Sequence, residues 1–383
     1  MSSNLDFFLL MEDYWKANNN FLARNPDIFC QPYEKVTQNL FSNFIYYGDS
    51  YKYALSREGY TAEQSIPACE DLQLKWAAEN GMSQPPEWLS KKPFRWWWTQ
   101  ILRTKNLKDQ FKDSIVTEQL KKTKPRVLWI FSWSLPLNAD TIASWRRYAD
   151  KIVLWWSCPI DPEVPYSSFD LILSSIPSLV KHFQTEGIDA RYLPHSFDPR
   201  ILQSISPVKE RLKKVVFVGS LSSRYKNRVT LLDYLSRNID LDFYGYYSIN
   251  ALPQDSPLIT NYHGNVWGRD LYRIYNSYLL TVHKNIDIAE NSFSAKRLFE
   301  ATGMGTCVVA EDSDKIRAFF EPDKEIVTYR TPEDCLPKVR RLLANPQEAM
   351  EIGKRAQERT LRCHTYETNV KKLISYLKEL KFI

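Results

Sequence analysis

The stretch KRLFEATGMGTCVV at 296–309 sets Arg297 and Glu300 three residues apart, ahead of a glycine turn and a β-branched run. On a helix that spacing puts both side chains on one face. An acid near a helix C-terminus sits against the dipole, so its position calls for another reason. A carboxylate offers two acceptor oxygens and no donor, which suits the two hydroxyls of a ribose diol. Arg297 would then meet phosphate oxygens, with Thr302 and Gly303 adding hydroxyl and backbone donors to a diphosphate. The alternative is a local ion pair between Arg297 and Glu300.

Two further stretches end apolar runs in the same half of the chain. In FVGSLSSRYKNR, Gly219 would let the backbone approach a ligand, and Ser220, Ser222 and Ser223 would add hydroxyls. Arg224, Lys226 and Arg228 bring the positive charge that a diphosphate requires. The plainer reading is a solvated basic loop. YHGNVWG puts His263 beside Gly264 and Asn265, either as a main-chain clamp on a flat base or as a turn with a packed imidazole. The sequence has no GxGxxG and no GxxxxGK[ST], so neither a dinucleotide fingerprint nor a P-loop is expected.

The elements that must position these residues alternate. NFIYYG (43–48) reads as a buried strand closed by glycine, DSYKYALSREGY as a helix ending at Gly59, and 67–81 as a helix stopped by Gly81. Residues 1–40 read as mixed helix and loop. From 127 to 192 the order is β-α-β-β-α-β with near-continuous apolar strands, which implies a sheet covered on both faces. A linker at 195–210 precedes a second run of alternating strands and helices from 213 to 329. Two helical stretches and an amphipathic helix at 366–381 close the chain. Two doubly wound α/β domains facing one cleft are expected: 1–207 with an aromatic and basic insertion at 82–125, then 208–365, with 366–383 crossing back to the first.

At 383 residues, 44% hydrophobic and 25% charged, the chain reads as globular, and no apolar run approaches the length of a membrane span. The N-terminus is acidic and reads as carrying no secretory signal. The six cysteines lack CxxC spacing and read as reduced thiols of a cytoplasmic protein. The net charge of +6 suits an anionic substrate or a membrane surface and does not argue for nucleic acid.

RLFEATGMG resembles the donor-site segment of GT-B glycosyltransferases, and more narrowly the bacterial group related to the spore-maturation protein CgeB, of the family 1/4-like type. IDIAEN (286–291), FVGS, YHGNVWG, YGDSYKYALSREGY and the run 169–199 carry the same resemblance, which spans about 40 to 310. It implies a metal-independent hexosyltransferase-like enzyme without a bound cofactor. The donor would be a nucleotide-diphosphate sugar held by the C-terminal domain, and the acceptor a glycan, a lipid-linked saccharide or a protein. Glu300 would be the ribose acid, Arg297, Arg224 and Lys226 would lie near the diphosphate, and Asp287, Glu290 and Asn291 near the sugar or phosphate. Many retaining relatives carry a second glutamate eight positions before the ribose acid, where this chain has Ser292. A catalytically silent sugar-nucleotide-binding scaffold is the rival reading.

On the acceptor side, an inverting transfer needs a general base. Asp49, directly after the strand expected at 43–47, is the first candidate; Asp161, Glu163 and His195 follow. The run FRWWWTQILR would stack on sugar rings, meet a membrane interface with the basic residues of 88–125, or pack into a core. The DSD at 312–314 reads as a helix cap, not a metal motif.

Overall fold

The computed structural model describes residues 5–12, 14–82, 102–131, 135, 137–222, 225–248, 250–284 and 296–383, without the side chains of 15–16 and 102–111. The expected ligands Arg224, Asp287, Glu290 and Asn291, and the tryptophans 96–98, lie outside the described residues. The chain divides into two compact units.

The first unit comprises Met1–Ser174, Leu179–Tyr192 and Val370–Ile383. Its strands are β1 (Phe7–Met11), β2 (Ala62–Ser65), β3 (Val127–Phe131), β4 (Lys151–Trp155), β5 (Leu171–Ser174) and β6 (Ala190–Tyr192). They form one sheet in the order β2-β1-β3-β4-β5-β6, parallel throughout. Side chains of one parity, such as Phe8, Leu10, Leu128, Ile130, Ile152, Leu154 and Ile172, form a core with Ile142, Trp145, Val180 and Phe183 from the covering helices Ala139–Trp145 and Pro177–Thr185. Opposite-parity side chains build an aromatic layer: Trp129 and Phe131 rings lie 4.5 Å apart, Phe131 stacks on Trp155 at 5.2 Å, and Tyr51 meets Trp129 at 4.8 Å. Both faces are covered, which is why these strands read as unbroken apolar runs.

The N-terminal segment differs from the expectation. FFLLM is β1, buried between β2 and β3, in a region expected to be helix and loop. NFIYYG is not a strand. Residues 42–44 and 46–49 are turns, with Phe44 at φ +53° and Tyr46 at φ +52°, and with Ile45 and Tyr47 buried. Its apolar residues pack as the inner side of a turn before the helix Ser50–Arg57, so Asp49 does not follow a strand. β2 is AEQS, a weak strand sequence, made a strand by parallel pairing with β1.

The second unit comprises Ser175–Ser178 and Leu193–Asn369, and so includes the stretch 193–207 expected in the first domain. Its strands are β7 (Leu212–Val218), β8 (Leu241–Tyr244), β9 (Tyr278–His283), β10 (Cys307–Glu311) and β11 (Val327–Tyr329). They pair in parallel in the order β11-β10-β9-β7-β8. Val215, Phe217, Leu280, Val282 and Val309 pack against Leu231, Leu232 and Leu235 of the helix Lys226–Ser236 and Val339 and Leu342 of the helix Pro332–Ala344. The last helix, Tyr366–Glu379, begins in this unit, and its residues from Val370 onward belong to the first. There Tyr376 donates to the Tyr192 carbonyl at 3.2 Å, and Arg191 pairs with Glu379 at 3.4 Å.

Candidate active site in the second unit

The carboxyl ends of β7, β8 and β9 gather most of the described candidates. β7 and β8 end on two glycines packed back to back. Gly219 donates to the Tyr244 carbonyl at 3.0 Å, and Gly245 donates to the Gly264 carbonyl at 2.8 Å. Gly245 has φ +131°, and a Cβ on it would lie 2.0 Å from the Gly219 oxygen. Gly245, which no sequence motif marks, is what permits this close approach of the two strand ends, while a Cβ on Gly219 would meet the Phe217 ring at 2.9 Å. Gly264, which accepts the bond from Gly245, has φ +84°.

Ser220 is half-buried, and its carbonyl accepts from Arg228 at 3.1 Å. Arg228 also donates to the Lys284 carbonyl at 2.9 Å and lies 4.9 Å from the Tyr225 ring. It is buried and ties the end of β7 to the end of β9, so it is not the diphosphate cation expected from the sequence. Lys226 is exposed at the first position of the helix Lys226–Ser236, whose first turn holds no acid. A cation together with the positive end of a helix dipole suits an anion.

His263 is exposed. Its Nε2 lies 3.2 Å from Asp242, and its ring stacks on Tyr244 at 4.8 Å. Burial pushes the Asp242 carboxyl up, but bonds from Tyr278 and His263 outweigh this and hold it below the usual range. The His263 ring thus rests on Tyr244 and Asp242 with its other side open to solvent. Asn265 beside it is exposed.

Arg297 and Glu300 share one face of the helix Lys296–Gly303, as the spacing requires. Glu300 is only 3% exposed. It accepts from Arg297 at 2.5 Å and from the Tyr272 hydroxyl at 3.4 Å, and Lys296 lies 3.7 Å away. This is the local ion pair, with Tyr272 and Lys296 as unforeseen partners. The carboxylate is sealed and occupied, so in this state it does not present two free oxygens to a diol. Arg297 keeps 30% of its side chain exposed and is the member of the cluster that reaches outward.

Thr302 and Gly303 do not serve as diphosphate donors. Thr302 is fully buried; its hydroxyl donates to the Leu298 carbonyl at 2.9 Å and accepts from Thr360 at 2.7 Å. Gly303 lies under the Phe197 ring, where a Cβ would come within 2.3 Å. These residues dock the helix onto its own unit.

His195 is buried with its Nε2 3.4 Å from the Ser175 hydroxyl; burial and the nearby Lys296 charge push its pKa down to about 3. Asp161 and Glu163 are exposed turn residues of the first unit, with Asp161 accepting from the Glu163 N–H at 3.0 Å. The DSD caps a helix: the Ser313 hydroxyl accepts from the Ile316 N–H at 3.3 Å at the start of Asp314–Phe319. Among the described residues no three His, Cys, Asp or Glu side chains gather as a metal site, and no helix is long and apolar enough to cross a membrane.

Residues 222–375 match the family model described as glycosyl transferase-like. No curated protein matches the chain. A glycosyltransferase from Rickettsia africae ESF-5 superposes with a TM-score of 0.56 at 12% identity, covering 99% of each chain. Anabaena Alr3699/HepE, solved with UDP and glucose, gives 0.52 at 12% identity over 98% of this chain and all of its own. A point mutant of S. aureus TarM gives 0.50 at 12% identity over 69% of this chain, which spans 58% of the TarM length. The fold is α/β with two parallel sheets, as in GT-B glycosyltransferases. The family match over the second unit supports glycosyl transfer as the class of activity.

Proposed function

We propose that this protein transfers a glycosyl group from a nucleotide-diphosphate sugar, held by the second unit, to a hydroxyl of a saccharide-bearing acceptor. The observation that carries the reading is the Arg297–Glu300 helix after β9, inside the segment that matches the glycosyl transferase-like model. In the reaction an acceptor oxygen forms a bond to the anomeric carbon, the bond from that carbon to the diphosphate breaks, and the acceptor proton passes to the departing diphosphate or to solvent. Negative charge grows on the leaving diphosphate. Arg297 and Lys226, with the positive end of the helix Lys226–Ser236, stabilise that charge electrostatically, and donors held in place before the reaction pay little reorganisation when it develops. Glu300 acts through Arg297: its buried carboxylate fixes the guanidinium, a positioning role in place of the expected ribose contact.

The Anabaena neighbour was solved with UDP and glucose, so UDP-glucose is the first donor to test. Titration with UDP and with UDP-glucose by calorimetry, followed by chromatography for free or transferred glucose, tests the reading. Binding with turnover supports it. Binding without any release of sugar supports the silent scaffold instead. Failure of a UDP-, GDP-, dTDP-, ADP- and CMP-sugar panel to bind overturns both.

A further inference from the structure

The first unit holds a small cavity at the carboxyl end of β1. Strand order reverses there, with β2 on one side and β3 on the other, and ligands of parallel sheets gather at such points. Glu12, directly after β1, and Asn18, on the helix Trp15–Arg24, line it together with Leu40, Phe41, Ile45 and Tyr47. Asn18 is fully buried, and among the described residues nothing donates to or accepts from either end of its amide. A buried amide left so costs ~1–3 kcal/mol, which a folded chain tolerates when the group serves something else. The free space takes a single water-sized group.

We infer that this cavity is a hydroxyl-binding site, in which the Asn18 amide and the Glu12 carboxylate recognise one alcohol group of a saccharide or polyol. An alcohol is the chemistry that fits. Its hydroxyl is as small as water and donates and accepts as the amide does, and the carbon that bears it can rest on the aromatic and aliphatic wall. A carboxylate or phosphate would face the charge of Glu12, and a free ammonium would leave the amide N–H without an acceptor. On the glycosyl-transfer reading above, the site holds an acceptor hydroxyl; the binding claim itself does not need a donor.

The test uses the full chain with methyl β-D-glucopyranoside and glycerol as probes, read by saturation-transfer NMR. Wild type is expected to transfer saturation to both. Asn18→Leu, of the same branched shape but without polar atoms, is expected to melt no lower than wild type and to lose binding roughly fivefold or more. Asn18→Ala, which adds no bulk, has to show the same loss should the leucine disturb folding. UDP affinity, a property of the second unit, stays unchanged in both. Absence of saturation transfer in wild type, or equal transfer in the variants, overturns the site. Saccharide binding that depends on Asn18 without turnover of any sugar nucleotide sinks the transferase reading and leaves the site standing. Turnover that both variants leave unaltered, with unaltered saccharide binding, does the reverse.

Discussion

Arg297 donates to Glu300 at 2.5 Å from one turn earlier in the same helix, and the acid is almost wholly buried while the base reaches solvent. The pair anchors a cation at one end and presents it at the other. Lys296 and Tyr272 complete the anchor.

Removing the anchor leaves two cations beside a hole. Glu300→Ala is expected to lower stability by about 2–4 kcal/mol, because buried charges lose their partner. Donor affinity should fall with it, and Arg297→Ala should reproduce the affinity loss at a smaller cost in stability. Urea denaturation and calorimetry with UDP-glucose separate the two effects. A Glu300→Ala chain as stable as wild type contradicts the anchoring role.

Gly245→Ala drives a methyl group into the Gly219 carbonyl at a positive φ. A loss of about 3 kcal/mol or more is expected, since both the clash and the backbone strain must be relieved. The melting temperature of the variant checks this; an unchanged value would mean that the ends of β7 and β8 are not so closely packed.

Gly303→Ala meets the Phe197 ring, which a smaller side chain can vacate. Phe197→Leu alone should destabilise by opening a void, yet it should partly rescue Gly303→Ala. A double-mutant cycle with no coupling would refute the contact.

Two buried imidazoles set an acid limit. Burial, with nearby cations, pushes His195 and His283 down to about 3 each, from an ordinary 6.5. The folded pKa is depressed, so folding excludes the proton. Stability is fully present above about pH 6.5 and falls as the pH drops toward 3, by roughly 1 kcal/mol per pH unit for each imidazole. Urea midpoints from pH 7 to 4 should fall, and His195→Asn should flatten the slope.

Lys226 is exposed on the surface of its helix, so Lys226→Ala should leave the melting temperature alone. It should weaken diphosphate binding by ~1 kcal/mol, an effect that shrinks as salt rises. Calorimetry with UDP at low and high salt reads this directly.

The alternation of strand and helix from 127 to 329 was legible because buried parallel strands must be apolar on both faces and because glycines and caps end the helices between them. Gly59, Gly81 and Ser313 stand where their chemistry puts them. The spacing of Arg297 and Glu300 likewise determined that they share a helix face. What the sequence could not decide is what lies opposite each face. Nothing local distinguishes FFLLM, a sheet strand, from NFIYYG, a pair of turns with buried side chains; parallel pairing across dozens of residues chose between them. Glu300 met Tyr272 and Lys296, Arg228 met two carbonyls, and Gly303 met Phe197, mostly through contacts between distant segments. Residue types and spacing set which groups were available. Only tertiary packing, by burying some and leaving Arg297 partly exposed and Lys226 exposed, decided which of them meet solvent.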